Sequence, residues 1–380
     1  MFRLKSFHRM LSFVTMSSLV LASLFMPGSV AAQTSPAQSL SHAIQSIQSQ
    51  AGQPIIGYDH QHDTSAPLRD LPTVGGARKG QPQHPAIPLL NLPNRNAPSH
   101  PDPVVQDTPA TPNMPSTILN FDGIPFPGVN CNCAPPDTNG EVGLSQYVQI
   151  VNQGIQVFDK STGASIFGPV DIATLWSGFG GVCEAGFGDP VVLYDQLANR
   201  WVVTQFAGTS IPTDECIAVS QTSDATGAYN RYDFNLGTDF FDYPKFGVWP
   251  DAYYMGMNVF NSSGTAFLGP QPFAFDRDAM LAGNAATFVT FRDPAFFNPA
   301  SDQFMPADMD GIIPPPAGAP NPFLSTGVNS TWPLYHFHVD FANPASSTFT
   351  LATTLTHAPF TVLTQGVPQQ IGRASCRERV

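Results

Sequence analysis

The sequence predicts an all-β fold, a β-propeller built from four-stranded blades. From Thr117 onward, short runs of β-branched and aromatic residues alternate with Gly, Pro, Asn and Asp turns, and helical periodicity is almost absent. This pattern is typical of all-β proteins. Three similar units open with Asp and Pro together, at Asp137, Asp189 and Asp242, which are 52 and 53 residues apart. A repeat of this length made of several short strands indicates propeller blades.

The units share an order of elements. Each contains a strand, a polar turn, a second strand, and a third strand that ends in Asp and a Gly-containing turn. A looser fourth unit begins near Asp308 and includes "PLYHFHVDFANPASSTFTLATTL". An open propeller exposes unpaired sheet edges. The count of about four units therefore predicts that residues 117–370 are an incomplete propeller, truncated after Gln370.

The last ten residues, 371–380, differ from the chain before them. "IGRASCRERV" contains three Arg, whereas the preceding 250 residues contain only six Lys and Arg. The decapeptide can be back-translated into a common short-read sequencing adapter. We therefore interpret it as a sequencing or cloning artefact and exclude it from the fold prediction.

The first 32 residues have the pattern of a secretory signal peptide. Basic residues precede the apolar stretch Met10–Met26, which is too short to span a bilayer, and Val30-Ala31-Ala32 offers a cleavage site. The chain is therefore expected to be secreted or periplasmic, with no membrane span after cleavage. Residues 33–116 are rich in Pro, Gln, Ser, Asn and His, which predicts a disordered linker or a propeptide.

The expected mature chain is strongly acidic. Residues 33–370 hold 10 Lys and Arg against 27 Asp and Glu, a net charge of −17. Such a surface argues against nucleic acid and anionic lipid as partners. It suits neutral ligands or cations, and it also keeps an exported protein soluble.

The cysteines predict disulfides. Cys376 belongs to the excluded tail, so an even number remains: Cys131, Cys133, Cys183 and Cys216. We favour a Cys183–Cys216 bond because each of these residues lies beside a strand-like run. A tight Cys131–Cys133 ring accompanies that pairing, and the two cross-pairings remain open.

The recurring Asp residues are the first candidate metal site. One Asp from each blade, at positions 137, 189 and 242, could form a ring of carboxylates in the central channel that binds a hard cation such as calcium. Alternatively, each Asp only caps the amides of its own Pro-containing turn.

Two other stretches offer weaker metal candidates. "DTNGE" places Asn139 and Glu141 after Asp137 like the start of a calcium loop, although it lacks the length of an EF-hand, and "PADMDG" is similar. In "YHFHVD", three metal-ligand residues share one strand face, namely His336, His338 and Asp340. The alternatives are a plain turn for the first two stretches and a solvent-facing strand surface for the third.

No nucleophile motif is present: the sequence has neither a Gly-x-Ser-x-Gly elbow nor a His-Glu-x-x-His pair. Acidic residues are too numerous for any single pair to be selected as the carboxylates of a glycosidase. Aromatic side chains could stack on sugars, and Trp176 is the candidate because "LWSGFGG" places it in a glycine-rich loop.

Four long motifs carry a resemblance to a known family. "APPDTNGEVG", "LWSGFGGVCE", "GDPVVLYDQLANRWVVTQF" and "DYPKFGVWPDAYY" resemble an uncharacterised family of secreted bacterial β-propeller proteins. The resemblance covers about Phe121 to Phe360. It implies the propeller fold and further blades, but no reaction and no catalytic residue. The turns "FDKSTGA" and "TSDATGA" loosely resemble the Asp-box turns of sialidase-like propellers, which is a fold-level similarity.

Taken together, these features predict an exported binding module whose ligand is a glycan or cell-surface polymer. The alternatives are a polysaccharide-acting glycoside hydrolase or lyase, with acidic residues near the channel, and a purely structural adhesion module.

Overall fold

Four antiparallel sheets follow one another along the chain. The computed structural model describes residues 52–74, 116–125, 129, 137–185, 187–301, 303–325 and 331–358, all of which belong to one unit spanning Gln48–Val380. The expected signal peptide, the tail 371–380, and Cys131 with Cys133 lie outside the described residues.

The strands are numbered in chain order. Two N-terminal strands come first: β1 (Ile55–Tyr58) and β2 (Gln61–Thr64). Blade 1 contains β3 (Asn139–Val142), β4 (Gln146–Val151), β5 (Gly154–Asp159) and β6 (Ser165–Asp171). Blade 2 contains β7 (Gly188–Asp195), β8 (Arg200–Ala207), β9 (Asp214–Ser220) and β10 (Tyr229–Asn235). Blade 3 contains β11 (Phe240–Val248), β12 (Tyr253–Phe260), β13 (Phe267–Phe275) and β14 (Thr287–Thr290), with helix α1 (Arg277–Ala282) before β14. Blade 4 contains β15 (Phe304–Pro306), β16 (Asn321–Ser325), β17 (Thr331–His338) and β18 (Thr348–Thr356).

This architecture confirms the predicted all-β, propeller-like fold. Within each blade the four strands pair in sequence order. The first strands of the four blades lie side by side, because β3 contacts β7, β7 contacts β11, and β11 contacts β15. Side chains also connect them. The Oδ1 atom of Asn139 accepts a hydrogen bond from the Val192 amide at 2.8 Å.

The start of the fourth unit differs from the sequence prediction. Blade 4 begins with β15 at Phe304, so Asp308 follows the first strand instead of opening it. There Asp308 has a structural role: its Oδ1 accepts a hydrogen bond from the Val248 amide at 2.7 Å, which joins the ends of β11 and β15.

Three hydrophobic clusters lie between successive blades. Trp201 and Val203 of β8 pack towards blade 1, whereas Val202 and Phe206 of the same strand pack towards blade 3. A third cluster, between blades 3 and 4, is built around aromatic rings such as Phe304. Strand β8 is therefore buried on both faces along nearly its whole length.

A buried ion pair also joins blades 2 and 3. Asp195 at the end of β7 is fully buried and accepts two hydrogen bonds from the Arg277 guanidinium, at 2.7 and 3.1 Å. The hydroxyl of Tyr253 donates a third, at 2.9 Å. Because both oxygens of the carboxylate are bonded, the cost of burying its charge is offset.

The predicted linker is wrong for residues 52–74, which we call the N-terminal clasp. Strand β1 pairs with β14 of blade 3, and β2 pairs with β10 of blade 2, so the clasp adds a fifth strand to each of two neighbouring blades. Outer strands offer unpaired backbone groups that attract a further strand. These backbone bonds offset the ordering entropy of the segment, although its composition suggested that it would stay disordered. Residues 33–51 and 75–115 lie outside the described residues.

Side chains hold the N-terminal clasp in place. The Arg231 guanidinium, which is buried, donates to both carboxylate oxygens of Asp63 at 2.8 and 2.6 Å. Leu68 is fully buried against blades 1 and 2. At the surface, Arg69 pairs with Asp224 at 2.9 Å.

The favoured disulfide is confirmed. Cys183, in a short 3-10 helix, is bonded to Cys216 of β9. Among the described residues, no helix is long and apolar enough to cross a membrane.

The contact between Gly57 and Phe288 gives a test of the N-terminal clasp. The Phe288 ring occupies the space where a Cβ atom on Gly57 would lie. We expect Gly57→Val to lower the free energy of unfolding by about 1–3 kcal/mol, because the ring must move. Urea unfolding measures this change. Tyr58→Val is the control, since Tyr58 is 57% exposed; an equal effect of both substitutions would contradict the docked clasp.

Candidate functional site

The structure brings the three recurring Asp residues together where the first strands of blades 1, 2 and 3 begin. The side chains of Asp137 and Asp189 lie close enough for each to act on the pKa of the other. Asp242 lies close enough for its charge to act on Asp189. All three are only partly buried, so solvent reaches this group of carboxyls, which we call the central carboxyl cluster.

Backbone geometry at these positions is unusual. Asp137 and Asp189 have φ angles of 42° and 44°, in the left-handed region that Asp tolerates better than most residues. In blade 3 the left-handed residue is Tyr243, at 54°, and not Asp242. The pairing register also shifts between Asp242 and Lys245. Such a bulge redirects side chains, so Asp242 reaches the cluster although it is offset by one residue from the equivalent position in blades 1 and 2.

Asn152, in the turn between β4 and β5, connects Asp137 with Asp189. Its Nδ2 donates to Asp137 Oδ2 at 2.5 Å, and its Oδ1 accepts from the Asp189 amide at 3.0 Å. Blade 1 therefore fixes the position of the first residues of blade 2. A single amide side chain holds both members of the carboxyl pair.

The cluster retains protons at neutral pH. Like charges placed close together disfavour the ionisation of all three carboxyls at once. Burial, followed by the charges of Asp242 and Asp137, raises the pKa of Asp189 to about 8. Burial, together with the charge of Asp137, raises the pKa of Asp242 to about 7. The ammonium group of Lys245 opposes both shifts.

Glu215 is a further carboxyl that the sequence analysis missed. It lies on β9, is fully buried, and feels the charge of Asp189. Burial raises its pKa well above the usual value, while the Thr204 hydroxyl acts in the opposite direction. A signal was present in the sequence, because Glu215 interrupts a strand, "DECIAVS", in which every residue is buried. Lys245 and Asn152 had no such signal.

The predicted calcium ring is only partly assembled. Among the described residues, one group of three or more potential ligands has all its ligand atoms within 4.8 Å of one another, and that group is Cys183, Cys216 and Asp233. The oxygens of Asp137, Asp189 and Asp242 therefore lie near one another without forming a closed cage. Calcium at this position stays a prediction.

The "DTNGE" candidates do not point to one centre. Asn139 bonds to the Val192 amide, and Glu141 accepts a hydrogen bond from the Val142 amide at 2.8 Å. The pKa of Glu141 is raised, and burial is the largest cause. The hydrogen bond from Val142 lowers the pKa, whereas the charges of Asp310 and Asp308 raise it further. Glu141 of β3 thus feels the charges of the two Asp residues that follow β15.

The strand candidates His336 and His338 are exposed, whereas Phe337 and Val339 between and beside them are buried. Asp340 caps its own turn by accepting from the Asn343 amide at 2.9 Å. This is the arrangement of a solvent-facing strand surface, and the three side chains do not converge.

The sugar-stacking role predicted for Trp176 is wrong. Trp176 is fully buried in the cluster between blades 1 and 2, and the Phe179 ring packs edge-on against it. Its glycine-rich surroundings suggested a loop, but the short helix before the loop turns the indole inwards. A residue with no exposed face cannot stack on a glycan.

Comparisons with known proteins give no family. No family model and no curated protein matches the chain. Among solved structures, it is similar to a GH43 β-1,3-galactosidase, with 12% sequence identity and a TM-score of 0.29 over 60% of this chain. The chain spans 46% of that enzyme's chain. The similarity is too distant to assign an activity.

The raised pKa of Asp189 gives a test of the central carboxyl cluster. An Asp titrates near 3.8 in the unfolded chain, so between about pH 4 and 8 the native state holds a proton that the unfolded state has lost. Stability must therefore fall as pH rises through this range. We expect Asp189→Asn, which cannot ionise, to be more stable than wild type at pH 9 by more than ~1 kcal/mol, with a smaller difference at pH 5.

Chemical unfolding at pH 5, 7 and 9 measures this difference. Asp278→Asn controls for the loss of one negative charge, because the side chain of Asp278 is 88% exposed. A pH-independent difference between wild type and Asp189→Asn would show that Asp189 does not lie in a proton-retaining site.

Proposed function

We propose that this chain is an exported hydrolase that acts on glycans at the central carboxyl cluster. The observation that carries the proposal is the meeting of three carboxyls from successive blades, in which the charges of Asp137 and Asp242 both act on Asp189. This arrangement favours the hydrolase alternative over the binding module expected from the sequence. A ligand-binding site has no need of a carboxyl that keeps its proton at neutral pH.

Glycoside hydrolysis needs two carboxyl groups in different protonation states. One donates a proton to the leaving oxygen, and the other, ionised, acts as base or nucleophile. We assign the acid to Asp189, since burial and its neighbours keep it protonated at neutral pH. Asp242 is the second carboxyl, because its pKa of about 7 is below that of Asp189 and it therefore ionises first as the pH rises. Asp137 positions the proton donor, and Asn152 positions Asp137.

The substrate class follows from charge. A net charge of −17 over residues 33–370 repels polyanions. Lys245 is the cation that acts on the cluster, and its ammonium group lies over the Tyr243 ring at 3.3 Å from the ring centroid. A neutral polysaccharide or oligosaccharide therefore suits the site better than an anionic one. The predicted signal peptide would deliver the enzyme to extracellular or periplasmic polymers.

Release of reducing ends from a panel of neutral polysaccharides tests this function. We expect activity in the wild type and a loss of about 10²–10⁴-fold in Asp189→Asn and in Asp242→Asn, the range typical of general acid–base catalysis. Asp278→Asn is the matched control and should retain full activity. Activity should fall above about pH 8, where Asp189 loses its proton. Retention of a polymer without cleavage would contradict the hydrolase and support the binding module.

Calcium binding is a second candidate for the same residues. The specific observation is mutual repulsion: the charges of Asp137 and Asp242 both raise the pKa of Asp189. A cation would relieve this repulsion. If calcium binds, added Ca²⁺ should raise the melting temperature and a chelator should lower it. Asp242→Asn should reduce the response; an unchanged melting temperature in the wild type would exclude a stabilising ion.

A further inference from the structure

We propose that, once its disulfide is reduced, the chain binds Zn²⁺ through Cys183, Cys216 and Asp233, with His60 as the fourth ligand. This site lies on blade 2 and under the N-terminal clasp, and it is independent of the proposed hydrolase activity. Cys183, Cys216 and Asp233 already have their ligand atoms within 4.8 Å of one another. His60 Nδ1 is 3.5 Å from Asp233 Oδ2 but lies outside that group, so its exposed side chain must rotate to become the fourth ligand.

The register of blade 2 builds this site. Asp233 of β10 lies directly opposite Cys216 of β9, and Gln61 of β2 lies opposite Asp233 on its other side. Gln205 of β8 is in turn opposite Cys216. These four residues form a polar row across four strands, and Cys183 covers it from the short 3-10 helix. A polar row is unexpected on this face, because its neighbours along β9 and β8, such as Ala218 and Val203, belong to an apolar cluster.

Two oxygens in the row lack a hydrogen bond. Asp233 is 2% exposed, and its Oδ1 has no hydrogen-bond partner; the same is true of Oε1 of Gln205, which is fully buried. Gln205 is held in place because its Nε2 donates to the Cys183 carbonyl at 2.9 Å. Buried oxygens without a donor are costly, and such groups often mark a missing ion or water. The disulfide sulfurs between them donate no proton, so in the oxidised protein they cannot satisfy either oxygen.

The ligand chemistry suits zinc. Two thiolates, one carboxylate and one imidazole are a typical tetrahedral zinc set, with Zn–S bonds of about 2.3 Å that place the two sulfurs about 3.8 Å apart. The Cα atoms of Cys183 and Cys216 are 5.8 Å apart, a spacing that two ligands of one ion can adopt with side-chain rotation.

A glycine-rich loop covers the buried site. Gly178, Gly180 and Gly181 all have left-handed φ angles, and Gly181 is exposed while lying over Asp233. A Cβ atom on Gly181 would lie 3.8 Å from Asp233 Oδ2. The loop therefore covers the site with backbone and little side chain. His60, with its side chain 73% exposed, forms the rim.

The chemical step is a two-electron reduction. A dithiol reductant transfers two electrons and two protons to the Cys183–Cys216 bond and becomes a disulfide itself. Zn²⁺ then binds the two sulfurs as thiolates and releases their two protons. Oxidation reverses the sequence and expels the ion. Zinc binding would thus occur only in the reduced protein.

Cobalt titration of the full chain tests the site, with Cys131, Cys133 and Cys376 replaced by Ser so that they cannot bind metal. We expect the reduced protein to bind one Co²⁺ with a thiolate-to-cobalt charge-transfer band, and Zn²⁺ to displace it. The oxidised protein should show no band. Asp233→Asn should weaken Zn²⁺ binding by at least ~10-fold while leaving the oxidised fold unchanged by circular dichroism.

Two controls separate ligation from general electrostatics. Glu184→Gln removes a carboxylate next to Cys183 in the sequence and keeps one oxygen that can accept from either the Gly178 or the Gly180 amide; it should bind Zn²⁺ like the wild type. His60→Ala should weaken binding and change the cobalt spectrum. The absence of a thiolate band in the reduced protein, or equal affinities for wild type and Asp233→Asn, would overturn the proposal.

Discussion

The packing of one sheet face against the next is the constraint on which the rest of the molecule depends. Blade 2 buries one face against blade 1 and the other against blade 3, so its strands must be apolar on both sides. Charged side chains are therefore disfavoured between the blades. Some polar groups inside, such as the Asp195–Arg277 pair, are fully bonded, whereas the polar row of blade 2 keeps two oxygens without a hydrogen bond.

The same packing explains the central carboxyl cluster. First strands of neighbouring blades run side by side, so a residue type repeated at the start of each strand is brought to one place. Asp137, Asp189 and Asp242 are far apart in sequence, and no two of them share a blade. The repeat therefore brings three turn residues close enough to interact. Their partial burial and mutual repulsion raise the pKa of Asp189, so that it keeps its proton at neutral pH. The proposed acid–base chemistry is thus a consequence of the repeat.

The N-terminal clasp is held by strand pairing at blade edges and by side-chain contacts. Its strands pair with the outer edges of blades 2 and 3. Its Leu68 packs into the interior, and its Asp63 accepts hydrogen bonds from the buried Arg231. It also supplies His60 and Gln61 to the polar row of blade 2. A segment with the composition of a linker therefore completes a side-chain cluster that the propeller repeats alone do not contain.

The sequence by itself determined the all-β class, the position of three of the four blades and the Cys183–Cys216 bond. Each of these depends on local alternation, turn residues or repeat spacing, which are visible in one dimension. It also picked out the three recurring Asp residues, because repetition marks them. The start of blade 4 was misplaced, since Asp308 imitates an opening Asp but follows β15.

Only the tertiary structure decided the remaining features, because they depend on contacts between residues distant in the chain. The burial of Trp176, the docking of residues 52–74, the role of Asn152 and the environment of Glu215 all result from neighbours more than 25 residues away or from a neighbouring blade. Composition indicates how much surface a segment can bury by itself, but it carries no information about an unpaired strand edge elsewhere that can accept it. Likewise, a carboxyl's proton affinity is determined by its surroundings, and those exist only once the blades have packed together.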